Sequence, residues 1–170
     1  MGYTLEQLAT DIRSTLKADS SAAGKKKVCD LVSKALVDQD FIAKHLTAEQ
    51  CKPRKVLYED PELGFCICGH VYSDKAVGSP HDHGGSWAIY GQAVGKTEMT
   101  EWKIVERGDG KTTPHMVVPE KVYEMRPGDA QYYAPEDVHS PNRQEPTKLI
   151  RIEGANLDHV KRSNIKAKAA

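Results

Sequence analysis

No stretch of this 170-residue chain approaches the roughly 18 consecutive apolar residues that a membrane-spanning helix needs. The N-terminus shows no charged, apolar, small-residue leader pattern, so cytoplasm is the expected location. Net charge is also missing: 24 Lys and Arg offset 24 Asp and Glu. A nucleic-acid-binding surface is basic, so nucleic acid is not an expected partner, and neither is a membrane. Lys25-Lys26-Lys27 reads as a solvated loop or helix start. Cysteine is scarce. Cys29, Cys51, Cys66 and Cys68 are too few for a disulfide framework, and Cys66-Ile67-Cys68 is too closely spaced for a zinc knuckle. No internal repeat or low-complexity segment is visible. The length suits one domain over 1–170: a helical region 1–50, a barrel 53–155 and a tail 156–170.

What is present falls into two textures. Thr4 and Gln7 have capping-box spacing, and Leu5, Leu8, Ala9, Ile12 and Leu16 follow a 3.6-residue period. Residues 19–24 read as a break. Val28, Leu31, Val32, Ala35 and Leu36 form a second apolar stripe, and Asp40 is placed to cap a short third helix through Phe41, Ile42 and Leu46. From Pro53 onward, short runs rich in Val, Ile and Tyr alternate with Gly, Pro and Asp turns. Strands are expected over 55–59, 65–73, 87–94, 96–105, 113–118, 121–125, 130–133 and 148–153. Such punctuation predicts a sandwich or barrel, and the tail after Ser163 is expected to fray.

The chemistry concentrates in Ser79-Pro80-His81-Asp82-His83-Gly84-Gly85-Ser86-Trp87. In an extended strand His81 and His83 point the same way and Asp82 points away. Alone, the pair reads equally well as a polar surface strand or as two metal ligands. A third histidine, His139, follows Pro127-Gly128-Asp129 and sits in Pro135-Glu136-Asp137-Val138-His139-Ser140-Pro141-Asn142.

These two segments resemble the paired motifs of the cupin superfamily. The first is carried by Gly78, His81, His83 and Gly91, the second by Pro127, Gly128, Pro135, His139 and Asn142. The resemblance covers 53–155. It implies a mostly β fold: a double-stranded β-helix, or jelly-roll barrel, with N-terminal α-helices, the motifs on neighbouring strands around one metal. Most cupins add a glutamate ligand four or five residues after the second histidine, where Trp87 and Ala88 stand here. The implied site is three histidines without a carboxylate. That layout is similar to cysteine dioxygenase and the wider thiol dioxygenases. Related three-histidine cupins cleave β-diketones and hydroxyaryl ketones with dioxygen. The implied cofactor is iron(II), with nickel, zinc and manganese as alternatives. Three neutral imidazoles leave the metal's 2+ charge intact, which favours an anionic substrate bound beside O₂.

The resemblance also thins. Cysteine dioxygenase of the mammalian type has a cysteine, cross-linked to tyrosine, where Ala88 stands. It also has a Ser-x-His-x-Tyr strand where this chain has Leu149-Ile150-Arg151-Ile152-Glu153. Cysteine therefore does not carry over as the substrate. Two readings of that strand stand. Either Arg151 and Glu153 face the cavity, to anchor and orient a substrate or act as base, or the isoleucines face inward and the charged pair lies outside. The family's anchoring arginine falls near Arg54 and Lys55. Trp87 is expected in the pocket wall. His70 shares a strand face with Cys66 and Cys68 and either lines the pocket or packs in the core; the two thiols are buried hydrophobes or lie near a redox metal. His115 and His159 are expected to be structural or exposed.

The leading expectation is a mononuclear non-haem iron(II) dioxygenase acting on a small anionic substrate with O₂, by analogy oxidising a thiol to a sulfinate. Cleavage of a diketone or hydroxyketone, an O₂-independent isomerase or lyase, and a non-catalytic small-molecule binder follow in that order. A monomer or homodimer is expected.

Overall fold

A computed structural model describes residues 2–169. The helices begin where side chains can take up free backbone N–H groups. Thr4 accepts from the Gln7 amide at 3.1 Å and opens α1 (Leu5–Ala18). Ser21 accepts from the Ala23 amide at 3.2 Å and opens α2 (Ala22–Leu36), so the break is shorter than the sequence suggests. Gly24 lies inside this helix, and only glycine fits there because a Cβ would meet the Asp19 carbonyl oxygen at 1.7 Å. Asp38, not Asp40, caps α3 (Gln39–His45), and Thr47 caps the unforeseen single turn α4 (Ala48–Cys51). Among the described residues no helix is long and apolar enough to cross a membrane.

Ten strands follow: β1 (Arg54–Glu59), β2 (Cys66–Tyr72), β3 (Ala76–Val77), β4 (Ala88–Val94), β5 (Thr97–Glu106), β6 (His115–Met125), β7 (Ala130–Tyr133), β8 (Val138–Arg143), β9 (Thr147–Glu153) and β10 (Ile165–Ala167). They make two five-stranded sheets, β1-β2-β9-β4-β7 and β10-β6-β5-β8-β3, which curl into a jelly-roll barrel of the double-stranded β-helix type. All pairings are antiparallel except β10 on β6. Two segments expected as separate strands are one strand, β6. Its Pro119 sits opposite Trp102, next to a register shift that absorbs the missing donor. The tail does not fray: Ile165 pairs with His115, and the Ser163 amide donates to Asp82 at 3.0 Å.

The central strands of the first sheet, β2, β9 and β4, are covered on both faces. On the outer side Ile67, Ile89, Ile150 and Ile152 pack under Leu8, Ile12, Val28, Val32 and Leu36, all at most 1% exposed. Burying each such side chain contributes roughly 1.5–3 kcal/mol. Inside the barrel a smaller cluster holds Ala88, Tyr90, Met99, Met125 and Tyr133. Gly91 lets α2 approach: a Cβ there would lie 2.8 Å from Val32 and 2.9 Å from Leu36. Gly91→Val is therefore expected to destabilise the fold by about 1–3 kcal/mol through overpacking. Urea unfolding checks this, and an unchanged midpoint would show that α2 does not press on β4 as described.

Candidate metal centre

His81 and His83 lie in the loop between β3 and β4, with His81 making a one-residue bridge to His139 on β8. The His81 amide donates to the His139 carbonyl and the His139 amide to the His81 carbonyl, each at 3.0 Å. The short strand expected around the histidine pair is thus a loop pinned at one residue. Asp82 explains why it turns there. Its Oδ1 accepts the amides of Gly84 and Ser163, both at 3.0 Å, and Gly84 adopts φ +57°. Asp82 is buried and faces away from the imidazoles.

The three imidazoles meet. Ring centres lie 4.7 Å apart for His81 and His139, 4.9 Å for His83 and His139, and 5.5 Å for His81 and His83. One nitrogen from each lies within 4.8 Å of the others, and no carboxylate or thiol joins the group among the described residues. His81 Nδ1 donates to the Ser79 carbonyl at 2.8 Å and His139 Nδ1 to the Asp137 carbonyl at 3.2 Å. Both rings therefore present Nε2 as a lone pair, the tautomer that metal-binding histidines take when the other nitrogen is tied to a carbonyl. His139 Nε2 is buried without a protein partner, as is His83 Nδ1. Burial pushes the pKa of His81 down to about 4 and that of His83 to about 2, and it holds His139 well below the usual range. Neighbouring cationic groups add to each shift. Neutral imidazole is the ligating form, so the set fits a divalent transition metal. Tyr133 stacks on His139 with ring centres 3.9 Å apart.

β9 carries the charges inward. Ile150 and Ile152 face the helices, so Leu149, Arg151 and Glu153 face the barrel interior. Arg151 Nη1 donates to the Tyr90 hydroxyl at 2.9 Å, and that hydroxyl lies 3.0 Å from His83 Nε2 and 3.4 Å from His81 Nε2. Arg151 Nε is 3.1 Å from Glu153. Glu153, fully buried, is also gripped by Arg54 through contacts of 2.7 and 3.2 Å, and Arg54 reaches on to Asp158 at 3.0 Å. Glu153 is therefore neutralised by two guanidinium groups and is no free base.

Three expected substrate contacts are corrected. Arg54 is engaged by Glu153 and Asp158 and supports the interior from behind. Lys55, next along β1, points to the opposite side and is exposed. Trp87 turns outward with Ile89, packs against the helical cluster, and lies under the Lys25 ammonium at 5.4 Å. His70 does point inward, buried, beside a small cavity bounded by Tyr72, Tyr90, Arg143 and Arg151. Burial, with Arg151 and Arg143 nearby, lowers its pKa strongly. Burial also pushes the thiols of Cys66 and Cys68 up to about 11 and 12, so they are inert. His159 is exposed, and His115 is buried under β10.

Three residues escaped the sequence reading. Tyr90 belongs to no motif, and its place on the strand expected over 87–94 suggests only core or wall. Arg143 belongs to β8, a strand broken up in sequence by Ser140, Pro141 and Asn142. Alternation from His139 puts Pro141 and Arg143 on its face, a signal that needed the strand to be recognised. Arg162 lies in the C-terminal segment 156–170, which carries no functional reading. A cleft of about 310 Å³, bordered by His81, Tyr90, Arg143, Arg151 and Arg162, opens beside the histidines.

No family model matches the sequence, and no curated protein matches it. Solved structures resemble the fold. A conserved uncharacterized protein with a double-stranded β-helix domain from Klebsiella pneumoniae subsp. pneumoniae MGH 78578 is 15% identical, over 72% of this chain and 94% of that one, with a TM-score of 0.49. A cupin superfamily protein from Desulfitobacterium hafniense DCB-2 is 12% identical, over 71% and 84%, with a TM-score of 0.45. The structural neighbours include cupins. They also include an enzyme, the DMSP lyase DddQ from Ruegeria pomeroyi DSS-3, 11% identical over 65% of this chain and 50% of that one, with a TM-score of 0.47. At these identities the likeness concerns shape, and the jelly roll itself stands on the two sheets described above.

Glu153→Gln keeps the shape and removes the charge that Arg54 and Arg151 share. The variant is expected to lose about 3 kcal/mol of stability, because Arg151 stays inside without a counter-charge and Arg54 keeps only the exposed Asp158. A chemical denaturation midpoint equal to that of the parent protein would contradict the buried pairing.

Proposed function

We propose that this protein is a mononuclear non-haem iron(II) dioxygenase acting on a small anionic molecule. The observation that carries the reading is a buried cluster of three neutral imidazoles, without a carboxylate, beside a cleft walled by arginines. His81, His83 and His139 would hold the ion on one side. Iron(II) bound there supplies dioxygen activation and a positive centre for an anionic substrate group.

The chain's own residues do the remaining work. The carbonyls of Ser79 and Asp137 fix two imidazole orientations before metal arrives. Ala88, Met99, Met125 and Tyr133 form an apolar floor that keeps bulk water from the inner side of the histidines. Tyr90 accepts from Arg151 and directs its hydroxyl at the histidines. With an ion held by the three histidines, the Tyr90 hydroxyl proton, which now faces His83, could be donated to a bound anion.

By analogy with three-histidine thiol dioxygenases, oxidation of a thiol to a sulfinate is the first chemistry to test, and carbon–carbon cleavage of a diketone or hydroxyketone the second. An O₂-independent isomerase or lyase needs a general base, and the buried carboxylates nearby are engaged, Glu153 between Arg54 and Arg151 and Asp82 by the amides of Gly84 and Ser163. This supports an oxygen-dependent reaction over a Lewis-acid one.

Metal analysis of freshly purified protein should find iron close to one ion per chain. Oxygen-electrode screening of thiols and diketones should then find substrate-dependent oxygen uptake. The double variant His81→Ala, His139→Ala should lose the metal and keep the circular dichroism of the folded barrel. Stoichiometric metal in that folded variant would refute the site, and full turnover without oxygen would refute the dioxygenase reading.

A further inference from the structure

Arg143 is a buried cation without an acid. It is 5% exposed, its Nε has no partner, and its guanidinium lies 4.5 Å from the centre of the Tyr72 ring. Burial lowers its pKa, and Arg151 pushes the same way. Such a group is costly to leave unpaired, because neither the ring nor a neighbouring arginine supplies a negative charge. It also forms a wall of the cleft beside His81, together with Tyr72, Tyr90, Arg151 and Arg162. No Asp or Glu lines that cleft. Glu153, the acid next to Arg151, already serves two guanidinium groups. An ammonium group entering here would find no counter-charge, whereas a carboxylate would find several. The cleft, about 310 Å³, has room for roughly ten water-sized groups.

We infer that the cleft takes a short dicarboxylate without an amino group, one carboxylate seated on Arg143 in the interior and the other near Arg162 at the rim. Arg143 is the specificity-determining residue. Its donors, planar and fixed by the Tyr72 face, suit a carboxylate better than a point-charge partner would. The inference rests on the metal-site reading, since it makes this diacid the substrate framework presented to His81, His83 and His139. The anion subsite itself can be measured without turnover.

The probes are succinate, butyrate and aspartate, which share a four-carbon chain and differ by one carboxylate or one amino group. Isothermal titration and thermal melting of the full-length protein, as purified and after chelation, read the binding. Succinate is expected to bind at least tenfold tighter than butyrate or aspartate and to raise the melting temperature most. Arg143→Gln is expected to weaken succinate at least tenfold, and Arg162→Gln by a smaller factor, in line with an exposed position. Arg143→Lys keeps the charge and should keep part of the preference. The comparison of the three probes on the unaltered protein needs no variant, so poor folding of an Arg143 variant leaves the test intact. Equal affinity for succinate and butyrate, preference for aspartate, or unchanged succinate affinity in a folded Arg143→Gln would each overturn the inference. Metal analysis on the same samples separates the two readings. Protein that holds iron and ignores succinate refutes only the diacid, and protein that binds succinate but holds no metal refutes only the metal site.

Discussion

The central strands of the first sheet, β2, β9 and β4, are covered on both sides, and the rest of the molecule follows from that constraint. The sheet's outer side carries Ile67, Ile89, Ile150 and Ile152 against α1 and α2. Because side chains alternate along a strand, this commits the residues between them to the barrel interior. On β9 those residues are Arg151 and Glu153, and on β2 they are Cys66, Cys68 and His70. The helices therefore do more than cover apolar surface. By claiming the isoleucines they force charge into a closed space, where it must be compensated or exploited. Glu153 shows the first outcome, held by Arg54 and Arg151. Arg143, brought in from β8 of the second sheet, shows the second, a cation left without a protein acid.

The second sheet supplies the opposite wall and the late histidine. His139 and His81 exchange backbone hydrogen bonds at 3.0 Å, which ties the loop after β3 to β8. A loop alone would place two imidazoles poorly. Here one end is pinned by the bridge, and the turn at Gly84 is held by Asp82, which also captures the Ser163 amide. The C-terminal segment thus acts as a strap across the back of the histidine loop, and it brings Arg162 to the cleft. Preorganisation of this kind lets neutral imidazoles stand close together before any ion binds.

The sequence made the histidine triad legible because two imidazoles two residues apart, with a third flanked by proline and asparagine, are rare enough in type and spacing to carry information. It also left the facing of Arg151 open, since an alternating strand in a sheet covered on both sides offers two equivalent apolar-in or charge-in registers. Only the helical layer decides between them. Trp87 was misplaced because its nearness to His83 in sequence suggested nearness in space, while the pleat sends it outward with Ile89. Lys55 failed for the same reason beside Arg54. β8 went unseen because Ser140, Pro141 and Asn142 look like a loop. Its Pro141 is tolerated opposite Met99, and Ser140 accepts from Trp102 at 2.8 Å on the outer face. With β8 hidden, Arg143 could not be placed on the face of His139.

Charge accounting gives these separate features one meaning. The donor set offers the ion no negative ligand, so a divalent metal there would keep its full charge. Arg143, Arg151 and Arg162 border the adjoining cleft, and the buried acids Glu153 and Asp82 are already engaged elsewhere. A low-dielectric interior with that balance is poorly matched to amines or neutral molecules. Under the proposed reading the missing negative charge arrives with the substrate, which completes the metal's coordination at one end and satisfies a buried guanidinium at the other. Selectivity and assembly of the reacting centre then become the same event, because the groups that repel the wrong ligand are those left unpaired until the right one binds.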